Sequence, residues 1–167
     1  MRASTAAVPE GAAAGSEVMV AAGRLLARRG YFEQELRDRL LRADHDADAV
    51  EAAVQRLRTL ELLDDAALAC SWIEERGRTK PRSREALRRE LESKGVDAET
   101  VEQALERCAL DDLAQARALA AAAIGRMACL PLVVQARRLR TRLLSLGFES
   151  EVVTEAVRAV LPPEGWD

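Results

Sequence analysis

Aromatic residues make up only 3% of this 167-residue chain, and histidine occurs once, as His45. A dedicated single-strand binder lines up several aromatic platforms for bases to stack on, and this chain cannot supply such a row. Cysteine is scarce too: Cys70, Cys108 and Cys129 are odd in number and far apart, without the short spacing of a zinc or redox pair. They read as reduced thiols in the core, which goes with a cytoplasmic protein. Charges interrupt every window long enough to cross a membrane apart from a short alanine-rich one near residue 120, so no membrane partner is expected. No apolar core of about seven residues follows a basic start, so no signal peptide is expected either. Also missing are G-x-x-x-x-G-K-[ST], G-x-S-x-G and H-E-x-x-H, the elements that cradle phosphates, expose a serine or bind zinc. No catalytic, cofactor-binding or metal-ligating residue is therefore expected, and the pair Asp64-Asp65 reads as a helix cap.

What is present points to helices. Hydrophobic residues reach 49%, Ala, Leu, Arg and Glu dominate, and β-branched runs are absent, so an all-α protein is expected. The stretch from Lys80 to Cys108 shows the building block. Leu87 and Leu91 form an apolar stripe, Gly95 is placed to end that helix in the left-handed conformation, and Asp97 is placed to cap the next, which carries Val101 and Leu105. Val96 and Val101 occupy the two positions of a hydrophobic staple. Two gapless copies of this pattern exist, Glu35 to Leu57 and Arg138 to Val160. Leu36, Leu87 and Leu139 coincide, as do Leu40, Leu91 and Leu143, then Val50, Val101 and Val153. A period of about fifty residues means one helical unit stacked on its neighbours.

The expected organisation is an elongated array of three tandem three-helix repeats, at residues 17–63, 64–110 and 111–161, between tails 1–16 and 162–167. The N-terminal tail is rich in Ala, Gly and Ser and reads as disordered. Helices are expected over Glu17–Arg29, Phe32–Ala43, Asp46–Leu60 and from Asp64 or Asp65 to Arg76, followed by a connection from Gly77 to Pro81. The third unit is expected to open near Asp111 with an alanine-rich helix and to loop over Gly125–Pro131. Trp72 is expected to pack in the core beside Leu68, Tyr31 to be the more exposed aromatic, and His45 to sit half-buried where the other copies have Val96 and Phe148.

LLARRGYFEQELRDRLL, then LELLDDAALACSWIEERGRTKPRSREALRRELESKGVDAETVEQAL, and more weakly RLLSLGFESEVVTEAV carry a family resemblance. The chain is similar to the RecX family, regulators of the RecA recombinase. It departs from that family's pattern at Phe32, where a capping Ser is usual, at Leu68, often Phe, and at Asp44-His45. The resemblance implies a monomeric, non-catalytic protein that binds RecA and its filament on single-stranded DNA, with weak direct DNA contact. It implies inhibition of the ATPase and of strand exchange, and a role in recombination, repair and the SOS response.

Charge distribution suits such a partner. Although the net charge is −3, residues 76–94 carry eight basic side chains against three acidic ones, and residues 113–148 carry six arginines and no acid. Segregation of this kind steers one face toward phosphates or acidic protein. The candidate partner-binding residues are Arg82, Arg84, Arg88 and Arg89 in the second unit, and Arg137, Arg138, Arg140 and Arg142 in the third. The main rival explanation is pairing of each basic second helix with the acidic third helix of its own unit. Two other function classes compete: a tandem helix-turn-helix DNA binder, which would need base-reading side chains beyond arginine, and a generic helical scaffold.

Overall fold

Four aspartates set helix starts. Asp46, Asp64, Asp97 and Asp111 each accept a hydrogen bond at 2.9 Å from the amide three residues on, at Ala49, Ala67, Thr100 and Ala114. Each cap satisfies a donor that a helix start leaves free. A computed structural model of the chain describes residues 10–162, and among these the regular structure is entirely helical. The order is α1 (Glu10–Leu26), α2 (Glu33–Leu41), α3 (Ala47–Thr59), α4 (Asp65–Thr79), α5 (Arg84–Glu92), α6 (Ala98–Arg107), α7 (Asp112–Ile124), α8 (Leu132–Ser145) and α9 (Ser150–Arg158), with a 3-10 turn at Gly125–Met127.

The helices group in threes, each with its own core. Leu36, Leu87 and Leu139 occupy equivalent buried places, as do Leu40, Leu91 and Leu143. Within each unit the first and third helices share the most extensive contact. In the last unit that contact uses small side chains, Ala116, Ala120 and Ala123 on α7 and Ala156 on α9, which let the two backbones approach closely. The Val96–Val101 staple is buried as expected, and its counterpart in the third unit is Phe148 with Val153.

Several expectations are corrected. Helix α1 starts at Glu10, so residues 10–16 of the expected tail are helical, while residues 1–9 and 163–167 lie outside the described residues. It also ends at Leu26 rather than Arg29. Helix α4 runs through Gly77 to Thr79; the break comes at Lys80, whose φ of −144° is the extended form imposed by the following Pro81. Tyr31 is buried, at 6% exposure, in the first unit's core, with the Arg29 guanidinium 3.7 Å from its ring centre. Cys129 is exposed, not a core thiol; it lies in the turn after the 3-10 segment, whereas Cys70 and Cys108 lean on the second core.

The units are joined by a repeated device. The repeat makes Phe32, Ser83 and Gln135 equivalent; the first two stand just before α2 and α5, while Gln135 falls in the first turn of α8. Phe32 leaves its own unit and is buried in the core of the second, and that is why no capping serine stands there. Ser83 instead donates from its hydroxyl to the Gly147 carbonyl at 2.8 Å, and its amide donates to Leu146 at 3.2 Å. Gln135 turns back to donate to the Leu130 carbonyl of its own loop at 2.6 Å. A second strut repeats alongside: Asp65 accepts from the Glu33 amide and Asp112 from the Arg84 amide, both at 2.9 Å. Each therefore caps the second helix of the preceding unit.

The helix corner facing this joint must be bare. Gly95 and Gly147 have φ of +84° and +92°, and a Cβ on Gly147 would meet Ser83 Oγ at 2.7 Å and Ala86 Cβ at 2.8 Å; one on Gly95 would meet the Gln34 side chain. In the first unit the equivalent Asp44 takes φ of 64° and is exposed, so a side chain is tolerated at the left-handed position. Gly95→Ala and Gly147→Ala are each expected to lose at least about 1–2 kcal/mol from the left-handed backbone alone, with the clash added. Asp44→Gly should change stability by less than about 1 kcal/mol. Urea denaturation of the three variants checks this, and equal effects at all three corners would refute the packing explanation.

Candidate functional site

The arginines of the second unit are largely spoken for. Arg84 meets Glu102 at 3.2 Å and Arg88 meets the same carboxylate at 2.6 Å, while Arg88 also contacts Glu85 and Arg89 meets Glu85 at 2.9 Å. Arg88 first, and Arg84 next, hold the Glu102 carboxyl below its usual range. Arg82 lies 3.6 Å from Glu90 and donates to the Ser145 carbonyl at 3.2 Å, so it spans the joint to the third unit. The first unit repeats the central bond, since Arg37 and Glu51 stand fifty-one residues before Arg88 and Glu102 and meet at 2.9 Å. The pairing of second and third helices within a unit is thus present in units one and two.

In the third unit the same positions have changed sign. Glu85 and Glu90 correspond to Arg137 and Arg142, and Glu102 corresponds to Thr154. Arg137, Arg138 and Arg142 are exposed on α8, and no carboxylate of the described residues forms an ion pair with them; Arg140 is half-buried. Arg117 is not part of this open set, because it meets Glu155 of α9 at 2.5 Å.

Arg138 and Arg142, four apart and so on one side of α8, converge with Arg126 of the 3-10 turn on a groove of about 370 Å³ whose remaining walls are Ala123, Met127 and Leu139. Arg126 was not singled out by sequence reasoning. Its signal was only membership of the acid-free run; the turn that brings it opposite α8 had no motif of its own.

At the other end of the chain a cleft of about 620 Å³ between the first two units is lined by Glu33, Glu61, Asp64, Asp65 and Asp97, with Arg58 as the one base. Desolvation pushes the Asp65 carboxyl up, against the pull of the Glu33 amide, and neighbouring acids add to the rise. Desolvation raises Asp112 likewise, opposed by the Arg84 amide. A carboxyl raised in the folded state favours folding below its unfolded value of about 3.9 and loses that contribution as pH climbs through the folded value. At neutral pH the two struts therefore hold their hydrogen bonds at an electrostatic cost. Asp112→Asn keeps an acceptor for the Arg84 amide and should leave stability at pH 7 equal or higher, whereas Asp112→Ala should lose about 0.5–2 kcal/mol. Thermal melts at pH 4.5 and pH 7 check this; Asn behaving like Ala would show that the negative charge itself is needed.

Among the described residues no aromatic ring stands free as a platform. Trp72 is half-buried against the second core, and its ring has Arg76 at 4.5 Å and Lys94 at 4.4 Å. His45 is half-buried as expected. Among the described residues no cluster of His, Cys, Asp or Glu is arranged to hold a metal ion, and no helix is long and apolar enough to cross a membrane.

Comparison with known proteins agrees with this architecture. Residues 19–57 match the family model described as RecX, first three-helix domain, and residues 64–105 match RecX, second three-helix domain. The Regulatory protein RecX of Prosthecochloris aestuarii is 35% identical over 80% of this chain and 86% of its own length. That of a strain of Thermus thermophilus is 40% identical over 59% of this chain and 67% of the relative. Among solved structures, RecX from Lactobacillus salivarius superposes with a TM-score of 0.76 at 21% identity, covering 88% of this chain and 96% of that one.

Proposed function

Because the chain belongs to the RecX family, whose matched members are named regulatory proteins, we propose that it binds the RecA recombinase and its filament on single-stranded DNA. There it inhibits the ATPase and strand exchange without catalysing a reaction of its own. The units 17–63, 64–110 and 111–161 act as successive modules along the filament, the protein works as a monomer in the cytoplasm, and its effect falls on recombination, repair and the SOS response. The observation that carries this reading is the open arginine face of α8. Where units one and two neutralise their second helices internally, the third presents Arg137, Arg138 and Arg142 unpaired among the described residues. Exposed charge of that kind serves a partner rather than the fold. Arg89, with 75% of its side chain exposed, extends the same chemistry onto α5, while Arg82, Arg84 and Arg88 act chiefly by holding helices and units together.

Binding measured side by side on bare single-stranded DNA and on recombinase-coated DNA tests the reading. Much tighter binding to the coated strand is expected. Equal affinity for both would favour the helix-turn-helix alternative, and no response to recombinase would favour a scaffold for some other protein.

A further inference from the structure

We infer that the groove between the 3-10 turn and α8 is a phosphate-binding channel for the backbone of single-stranded nucleic acid, with Arg126, Arg138 and Arg142 as its donors. This deepens the reading above by naming what one part of the basic face holds. Three observations converge on it. The groove's charged walls are all arginine, each an always-charged planar fork that fits a phosphate's oxygens. Its floor of Ala123, Met127 and Leu139 is apolar, so no neighbouring carboxylate or hydroxyl competes for the guanidinium groups. Arg138 and Arg142 stand one helical turn apart, about 6 Å along the axis, a stagger that follows a chain of anions rather than a single ion.

The donor set selects the ligand: guanidinium forks staggered along α8 and joined by Arg126 suit successive phosphates of an extended strand. Among the described residues the Tyr31 ring is covered by Arg29 and the Trp72 ring is flanked by Arg76 and Lys94, so neither is a free platform for a base. Contacts to phosphates alone carry no base preference. The acidic cleft at the first joint repels the same strand and keeps it off that joint.

The test uses the full-length protein and a fluorescent thymidine oligonucleotide, with binding followed by anisotropy as salt is raised. Each phosphate contact contributes about −0.7 to the slope of log K against log salt for a single strand. Arg126→Gln should weaken binding about threefold or more and flatten the slope by about 0.7; the triple change at Arg126, Arg138 and Arg142 should flatten it by about 2. Arg117→Gln, which removes a guanidinium already paired with Glu155, should change neither. An adenosine oligonucleotide should bind as the thymidine one does. The inference is overturned by undetectable oligonucleotide binding at low salt, by an unchanged slope in Arg126→Gln, or by preference for a duplex. If Arg126→Gln keeps oligonucleotide binding but loses filament inhibition, the groove holds acidic protein instead. The inference then fails while the regulatory reading stands. If the wild type binds the oligonucleotide with the expected slope yet leaves recombinase activity untouched, the regulatory reading fails and the channel remains.

Discussion

Phe32→Ala is expected to cost about 3–5 kcal/mol, and most of the damage should appear outside the unit that contains it. The ring is 2% exposed and packs among Ala69, Ile73, Leu87 and Val96 of the second unit, so removing it opens a cavity across the first joint. Hydrogen exchange should show lost protection in α4 to α6 before α3. Leu91→Ala, wholly within the second core, should cost about 2–5 kcal/mol without that spread. At the second joint Ser83→Ala removes two hydrogen bonds rather than a ring, the one to the Gly147 carbonyl and the cap on the Ala86 amide, and should cost about 1–3 kcal/mol. A loss below about 1 kcal/mol for Phe32→Ala, or one confined to α1 to α3, would contradict the placement of that side chain.

The second large effect separates two kinds of arginine. Changing Arg84 and Arg88 to Glu puts new negative charge beside Glu85 and Glu102, with which those arginines now pair. The melting temperature should fall, and filament inhibition should fall with it. Changing Arg137, Arg138 and Arg142 to Glu breaks no ion pair among the described residues. Helicity and melting temperature should stay near those of the wild type while filament binding drops by an order of magnitude or more. Raising salt should weaken the wild-type interaction, since exposed charges are screened over about 8 Å at physiological ionic strength. An apolar contact would instead be unchanged or strengthened by salt, and a contact carried by α5 would show the opposite ranking of the two variants.

Much of this was legible in the residues. The fifty-residue repeat places Leu36, Leu87 and Leu139 together because core positions tolerate little change in size or polarity, and the aspartate caps and left-handed glycines follow from local backbone chemistry alone. The joints were not legible. Phe32 resembles a missing cap in the sequence, because nothing local to it announces that its ring belongs to the next unit's core. Asp44 resembles a defect, yet a glycine is needed only where a preceding unit packs on the corner, and the first unit has none before it among the described residues. Tyr31 departs from expectation for a related reason: a residue in a corner is exposed only if the adjoining helices leave it so, and here α1 to α3 close over it. Among the arginines, sequence spacing could mark the acid-free run. Which guanidinium groups lie free depends on α6 reaching α5 with Glu102, while the equivalent approach of α9 to α8 brings Thr154.

The most direct measurement is a titration of this protein into recombinase filaments assembled on single-stranded DNA, read as ATPase rate, with the wild type and the Arg137, Arg138 and Arg142 to Glu variant in parallel. Progressive inhibition by the wild type, and a shift of that curve to at least tenfold higher concentration for an equally stable variant, is the expected result. An ATPase rate that stays flat across the wild-type titration, or the same inhibition by both proteins, would contradict the assignment of the third unit's arginine face as the surface through which the protein regulates its partner.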